Sequence, residues 1–356
     1  MTNFKNGFIG GLGILLSLSV ASCKNGNNEF PNYDGGITAY FANQYPVTVV
    51  VLGEYPDGDN SDNIEHKINI YATQGGAYDP QDLKIDVVID NGLVSNLYFP
   101  DGSPVKAMPE SYYSLESNTL TLSKQHKEDK KPLFGTKVLL TDAFFNDPAS
   151  VKETYVIPVK MVKAVGADRI LSGTPAVPDS NPALTDASAW DVQPQDFTLY
   201  CVKYVNPWAA SYLRRGVDQV TDAVAGSSTN IRHEQYVEKN EVVYLTTESM
   251  SEVLFPLSTV VPDGESVKTL TCDLILKFNG DDCTVSTSTE GMTASGSGKF
   301  VKRGDKNFWG DSKEHDVLYL DYQVNFGPRQ FNTKDTLVVR SREISPVFDF
   351  KPVYNK

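Results

Sequence analysis

Thr269-Leu270-Thr271-Cys272-Asp273-Leu274-Ile275-Leu276-Lys277-Phe278 runs into Asn279-Gly280-Asp281-Asp282 and leaves through Cys283-Thr284-Val285-Ser286-Thr287. Apolar and polar side chains alternate along both arms, the period of strands with one buried face, and the Asn-Gly centre is a hairpin turn. A tight hairpin sets Cys283 beside Phe278 and away from Cys272, so no disulfide between the two cysteines is expected. The same alternation recurs at Phe197–Tyr204, Val242–Leu245, Val317–Phe326 and Thr336–Arg340, with no amphipathic helix longer than two turns. Long antiparallel strands crowded together argue for a closed or nearly closed barrel, because closure removes the exposed edges of such a sheet.

Upstream the strands are shorter. Ile37–Phe41, Val47–Leu52, His66–Tyr71, Leu83–Ile89, Thr119–Leu122, Thr136–Leu140 and Tyr155–Val162 are separated by Gly/Asp/Pro turns. That spacing predicts an immunoglobulin-like β-sandwich over 36–165. Asp142-Ala143-Phe144-Phe145-Asn146 reads as a helical turn. Residues 166–195 carry Pro175, Pro178, Pro182 and Pro194 and keep no hydrophobic period, so they read as a linker or an ordered strap. The barrel domain is then expected over 196–356. The chain of 356 residues suits two domains of about 150 residues each.

The first residues have the plan of a secretory signal: a short start with Lys5, an apolar run Phe8–Val20, and Val20-Ala21-Ser22-Cys23. The run is short for a membrane span, and the small residues before a cysteine form a bacterial lipobox. Residues 1–22 are therefore expected to be removed and Cys23 lipidated. Residues 23–35 form an Asn/Gly-rich flexible tether. The mature protein is expected to be held to the membrane by the lipid on Cys23, since two or more acyl chains anchor stably.

The net charge of −13 makes nucleic acid and anionic lipid poor partners. Cys201, Cys272 and Cys283 read as small buried hydrophobes. The four His residues stand at no metal-ligand spacing, and no cofactor motif is present, so none is expected. Gly296-Ser297-Gly298-Lys299 lacks the remaining glycine and the hydroxyl of a phosphate loop. Asp57, Asp59 and Ser61 echo a calcium loop, but Asp62 and Ile68 stand where its Gly and Glu belong, so a solvated acidic loop is the default. No nucleophile elbow or marked carboxylate pair appears, so enzyme is the minority expectation.

Aromatic residues remain: 18 Tyr, 17 Phe and 3 Trp, many in loop-like contexts. Sugar sites stack pyranose rings on such faces, while most aromatics of a β-domain are core. The candidate platforms are Trp309 with Phe308, then Trp208, Tyr112 and Tyr113. Trp309 lies in a polar Gly/Asp loop and is the best placed to be exposed, whereas Trp208 follows a strand and is better placed to plug a barrel end. Arg214-Arg215, Arg340 and Arg342 read first as partners of carboxylates and second as grips on a ligand's oxygens.

Taken together, Cys23, Glu29–Asp34, Val51-Leu52-Gly53, Gly75–Tyr78, Val87–Asn91, Leu140–Phe144 and Tyr155–Pro158 resemble Bacteroidetes lipoproteins that open with the domain of unknown function 1735. Tyr204–Trp208, Tyr212–Gly216 and Asp335–Arg340 resemble the domain numbered 5627 that often follows it. The resemblance implies an immunoglobulin-like domain, then a lipocalin-like barrel, in loci that import and degrade polysaccharides beside outer-membrane transporters. It carries over no catalytic residue. The expected function is a non-catalytic glycan-binding lipoprotein of the outer membrane. The alternatives are an adhesive or structural protein contacting another outer-membrane protein, such as a transporter component, and a hydrolase with a dispersed site.

Overall fold

The computed structural model describes residues 36–43, 47–55, 58–76, 81–129, 131, 133–306, 313–342 and 347–355. The fold is all-β, a sandwich followed by a closed antiparallel barrel of 8 strands.

The first sandwich sheet orders Arg169–Ile170, β1 (Ile37–Phe41), β3 (Lys67–Gly76), β7 (Phe134–Leu140) and β5 (Tyr113–Leu115), with β2 (Val47–Leu52), β4 (Leu83–Ile89) and β6 (Thr119–Leu122) in the other sheet. That second sheet continues through β8 (Tyr155–Val165) and β9 (Phe197–Tyr204). Ile68, Ile70 and Val138 of one sheet meet Ile85, Ile157 and Val159 of the other. The second sheet is buried on its far face too, where Val47, Val49, Leu199 and Cys201 pack on Leu97, Phe99 and Val105. This explains why β2 is apolar at every position but Thr48, since a strand covered on both faces has no polar side to alternate. The helical turn forms at Asp142–Phe145 and buries Phe144 and Phe145.

The start of the barrel differs from the sequence expectation, and the Pro-rich segment takes the second of its two readings. β9, expected in the barrel, belongs to the sandwich, because it pairs antiparallel with β8 and parallel with β2. The Pro-rich segment lies along the sandwich as a strap: Asp168 and Leu171 donate backbone N–H to Ile37 and Ala39 of β1, and Phe41 donates to the Gln195 carbonyl. Its Thr174–Pro175 pairs with Trp190–Val192, and the Trp190 indole N–H is bonded to the Ala183 carbonyl.

The barrel begins at β10 (Ala210–Asp222), to which β11 (Gly226–Arg232) is added as a flanking strand outside the closed ring, and its other seven strands are β12 (Glu241–Thr247), β13 (Glu252–Asp263), β14 (Ser266–Asn279), β15 (Asp282–Thr287), β16 (Thr293–Lys306), β17 (Glu314–Asn325) and β18 (Arg329–Ser341). β18 closes on β10. In the opening hairpin Phe278 pairs with Cys283, as expected, and the three described cysteines are unbridged and buried. Gly296–Lys299 lies inside β16. After the barrel, β19 (Val347–Phe350) returns to pair with β2.

β10 is covered in two pieces on one side: β12 pairs with Ala210–Arg214 and β11 with Gly216–Asp222. β12 also pairs with β13, but β11 does not, so the barrel wall parts between β11 and β13.

Candidate functional site

The interior of the barrel divides along its axis. Toward the sandwich it is filled by Tyr212, Phe255, Leu274, Leu276, Phe300, Leu318 and Leu337. Toward the parted end the inward positions of the same strands become Arg214, Asp218, Asp222, Tyr322, Thr333 and Asp335. Strand alternation alone places them there, since residues two apart share a face.

All of these groups except Asp222 are bonded, with Arg232, as one network. Arg214 Nε donates to Asp335 Oδ2 at 2.9 Å, and Arg214 Nη2 to the Tyr322 hydroxyl at 3.0 Å. That hydroxyl donates in turn to Asp335 Oδ2 at 2.9 Å. Arg232 Nη2 bridges Asp335 Oδ1 and Asp218 Oδ1, both at 2.7 Å, while its Nε donates to Asp218 Oδ2 at 2.9 Å. Thr333 adds a bond to Asp218 Oδ1 at 2.8 Å. Farther out, Arg329 forms its own set of bonds, donating to Asp222 at 2.7 Å and to the Val260 carbonyl at 2.9 Å on β13. It thereby ties the two sides of the parted wall.

The electrostatics follow from burial and pairing. Burial alone would raise the Asp218 carboxyl, but Arg232 and Thr333 hold it below the usual carboxylate range. Backbone N–H groups of Ala225 and Val224, with Arg329, lower Asp222 to about 2. Burial opposes charge on Arg214 and Arg232, and the partners of each outweigh it, so both stay protonated. Burial lifts the Tyr322 phenol well above its usual value, so it donates a proton in a hydrogen bond without losing it.

A cavity of about 350 Å³ opens over this floor, walled by Glu241, Asn230, Thr259, Val324, Phe326 and Phe331. Phe326 and Phe331 meet edge to face at 5.8 Å and 77°. Arg232 Nη1 makes no hydrogen bond among the described residues and stands 4.0 Å from Glu241 Oε2. The arrangement offers fixed donors and acceptors beside an apolar aromatic wall, within the roughly 300–1,000 Å³ range of small-molecule sites.

The expected platform residues do not meet here. Tyr113 is 8% exposed and belongs to the sandwich core, so it offers no face to a ligand. Tyr112 is half-buried, with its hydroxyl bonded to Asp147 at 3.0 Å and its ring edge-on to Tyr155. Trp208 stacks flat on Phe278 at 4.0 Å and 4°, closing the sandwich end of the barrel. Phe308, Trp309, Asp57 and the lipobox Cys23 lie outside the described residues. Asp59 accepts the Ser61 N–H in an exposed loop, and no metal-ligating cluster occurs among the described residues. Arg214 is paired with a carboxylate, as its first reading had it, whereas Phe331, Arg232 and Asp335 were missed. Their signal was the cross-strand register, which a single strand pattern does not contain.

The fold and site define a sandwich–barrel protein with a polar-floored cavity at one barrel end. The model of the domain of unknown function 5627 matches residues 207–343, and a model described as a "-like, N-terminal domain" matches residues 30–168. A solved Bacteroides ovatus protein of unknown function is 42% identical, with a TM-score of 0.82, over 91% of this chain and 100% of that one. The chain belongs to the family of that protein, and the match to domain 5627 spans its barrel. A second Bacteroides ovatus protein of unknown function is 13% identical with a TM-score of 0.41, over 85% of this chain and 91% of that one. A Bacteroides thetaiotaomicron protein described as an auxiliary nutrient binding protein is 13% identical with a TM-score of 0.38, over 83% and 90%. These two likenesses are too distant to bear on function. None of the curated proteins compared with the chain matches it.

Proposed function

We propose that the protein is a non-catalytic glycan-binding lipoprotein whose parted barrel end holds a saccharide. The observation that carries this reading is the floor of Arg214, Arg232 and Asp218, its two arginines held by buried Asp335, beside the Phe331 wall in one open cavity. A pyranose has both surfaces this site can satisfy: hydroxyls for paired charges, and a C–H face for an aromatic ring. Charge-assisted hydrogen bonds are strong, and a floor already bonded to itself loses little order when the ligand arrives. Asp218 is held ionised by Arg232, which suits an acceptor of hydroxyl protons better than the acid of a hydrolytic pair.

In this reading the chain is tethered to the outer membrane through lipid on Cys23, and its first domain is of the 1735 type. It delivers glycan to transporter components of a polysaccharide import and degradation system. A second reading, contact with another outer-membrane protein, is favoured by the unpaired outer edge of β11, where Ile231 is 70% exposed. A glycan array on the mature chain, followed by titration of hits into Phe331→Ala, tests the first reading. Binding that weakens in the variant supports it. A flat array together with a co-purifying partner favours the second.

A further inference from the structure

The strands that build the cavity end carry a second cavity at their opposite ends. It measures about 550 Å³ and is lined by Arg303, Lys313, Asp316, Arg340 and Arg342, among others. A cluster of cations stands out in a chain of net charge −13.

The carboxylate nearest to neutralising it is already committed. Asp316 Oδ1 accepts the backbone N–H of Arg303 at 2.8 Å, and Oδ2 accepts Arg342 Nη2 at 2.6 Å. Glu314 pairs with Lys306 at 3.5 Å. The side chains of Arg303 and Arg340 have no hydrogen-bond or ion-pair partner among the described residues. Arg342 is 8% exposed, donates Nη1 to the Pro207 carbonyl, and keeps a buried Nε without a partner.

The backbone is shaped for this. The register of β16 against β17 breaks between Val301 and Asp305, and Arg303 within that break has φ +52°. A non-glycine residue holds the left-handed region only where its surroundings fix it, and a bulge re-aims the side chain it carries. Here Asp316 fixes the backbone, and Arg303 lines the cavity.

Two unpaired guanidinium groups over one cavity suit an oxyanion, and their planar forks match a carboxylate or a sulfate ester. The acidic surface elsewhere repels such a ligand and concentrates it here. The volume suits a sugar-sized unit better than a lone small ion. We infer that this cleft binds the carboxylate or sulfate of an acidic saccharide, at a subsite separate from the Phe331 cavity; the inference rests on the glycan-binding reading.

Isothermal titration of the mature chain with tri-galacturonate and with its neutral methyl ester tests it, with chondroitin 4-sulfate disaccharide as the sulfated probe. Wild type should prefer the acid trimer to its ester by roughly tenfold, and the preference should shrink as salt rises. Arg303→Gly with Arg340→Gln keeps the left-handed backbone and should weaken the acid trimer by roughly tenfold while leaving the affinity for its neutral methyl ester unchanged. Equal affinity for acid and ester, or undiminished binding in the double variant, overturns the inference. So does preference for phosphatidylglycerol vesicles over every saccharide. Failure of both acidic probes while neutral glycans bind removes this subsite alone; failure of every glycan removes the glycan reading as well.

Discussion

Arg232 Nη2 and Asp335 Oδ1 lie 2.7 Å apart inside the barrel, and they do so because residue 216 has no side chain. A Cβ on Gly216 would stand 2.3 Å from Asp335 Oδ1 and 3.0 Å from Arg232 Nη2. The polar floor is thus built on one glycine of β10. Gly216→Ala should cost about 2–4 kcal/mol by displacing a buried ion pair, with the loss read from chemical denaturation of the mature chain. An unchanged midpoint would mean that the pair relaxes freely and that the floor is not rigid.

Asp335 has 0% of its side chain exposed and serves two arginines. Asp335→Ala leaves both without their shared anion and should destabilise by about 3–5 kcal/mol. Asp335→Asn keeps the shape and a carbonyl acceptor and should lose less. Equal losses in the two variants, measured by urea unfolding, would point to packing and not charge.

Acid should loosen this end of the barrel. Asp222 is lowered to about 2 and Asp218 also lies below its usual range, so each binds protons more weakly folded than unfolded. Their contribution to stability is therefore complete above the ordinary carboxylate value of about 3.9 and is lost as pH falls below it toward 2. Asp222→Asn should flatten the acid decline of the thermal midpoint while lowering the plateau near neutral pH. A decline of unchanged steepness would assign acid sensitivity to other carboxylates.

The strap over 166–195 should resist limited proteolysis, because its backbone is bonded to β1 and its ends to the sandwich. Cleavage there ahead of all other sites would contradict the pairing of Arg169–Ile170 with β1.

Tyr113 and Phe331 separate core from site. Tyr113→Ala should lower the midpoint by the roughly 3–5 kcal/mol of a buried aromatic truncation and leave ligand affinity alone. Half-buried Phe331 should show the reverse emphasis. A midpoint left in place by Tyr113→Ala would return that residue to the surface.

Much of the fold was legible because period and turn chemistry are local. Asn279-Gly280 fixed a hairpin whose Phe278–Cys283 register is the one observed. The strand expected over Thr136–Leu140 lies within Phe134–Leu140, whose burial alternates residue by residue even though this buries Thr136 and exposes Leu139. The domain of β9 was not legible, because Phe197–Tyr204 states that it is a strand and nothing about its neighbours. The same limit hid the site. Arg214 and Asp335 are separated by 121 residues and Arg232 and Asp335 by 103, and only barrel closure joins them. Arg232 also ends a run of Ser, Thr and Asn with little strand pattern. Tyr112-Tyr113 read as loop residues because no alternating run surrounds them, whereas Tyr113 opens β5 and which face of that strand is buried depends on the opposing sheet.

Titration of a neutral oligosaccharide selected by array into the mature chain and into Phe331→Ala tests the glycan-binding claim most directly. The account predicts saturable binding to wild type and a loss on the order of 1 kcal/mol in the variant, with the unfolding midpoint nearly unmoved. No binding by any glycan, or identical affinity in the two proteins, would contradict it.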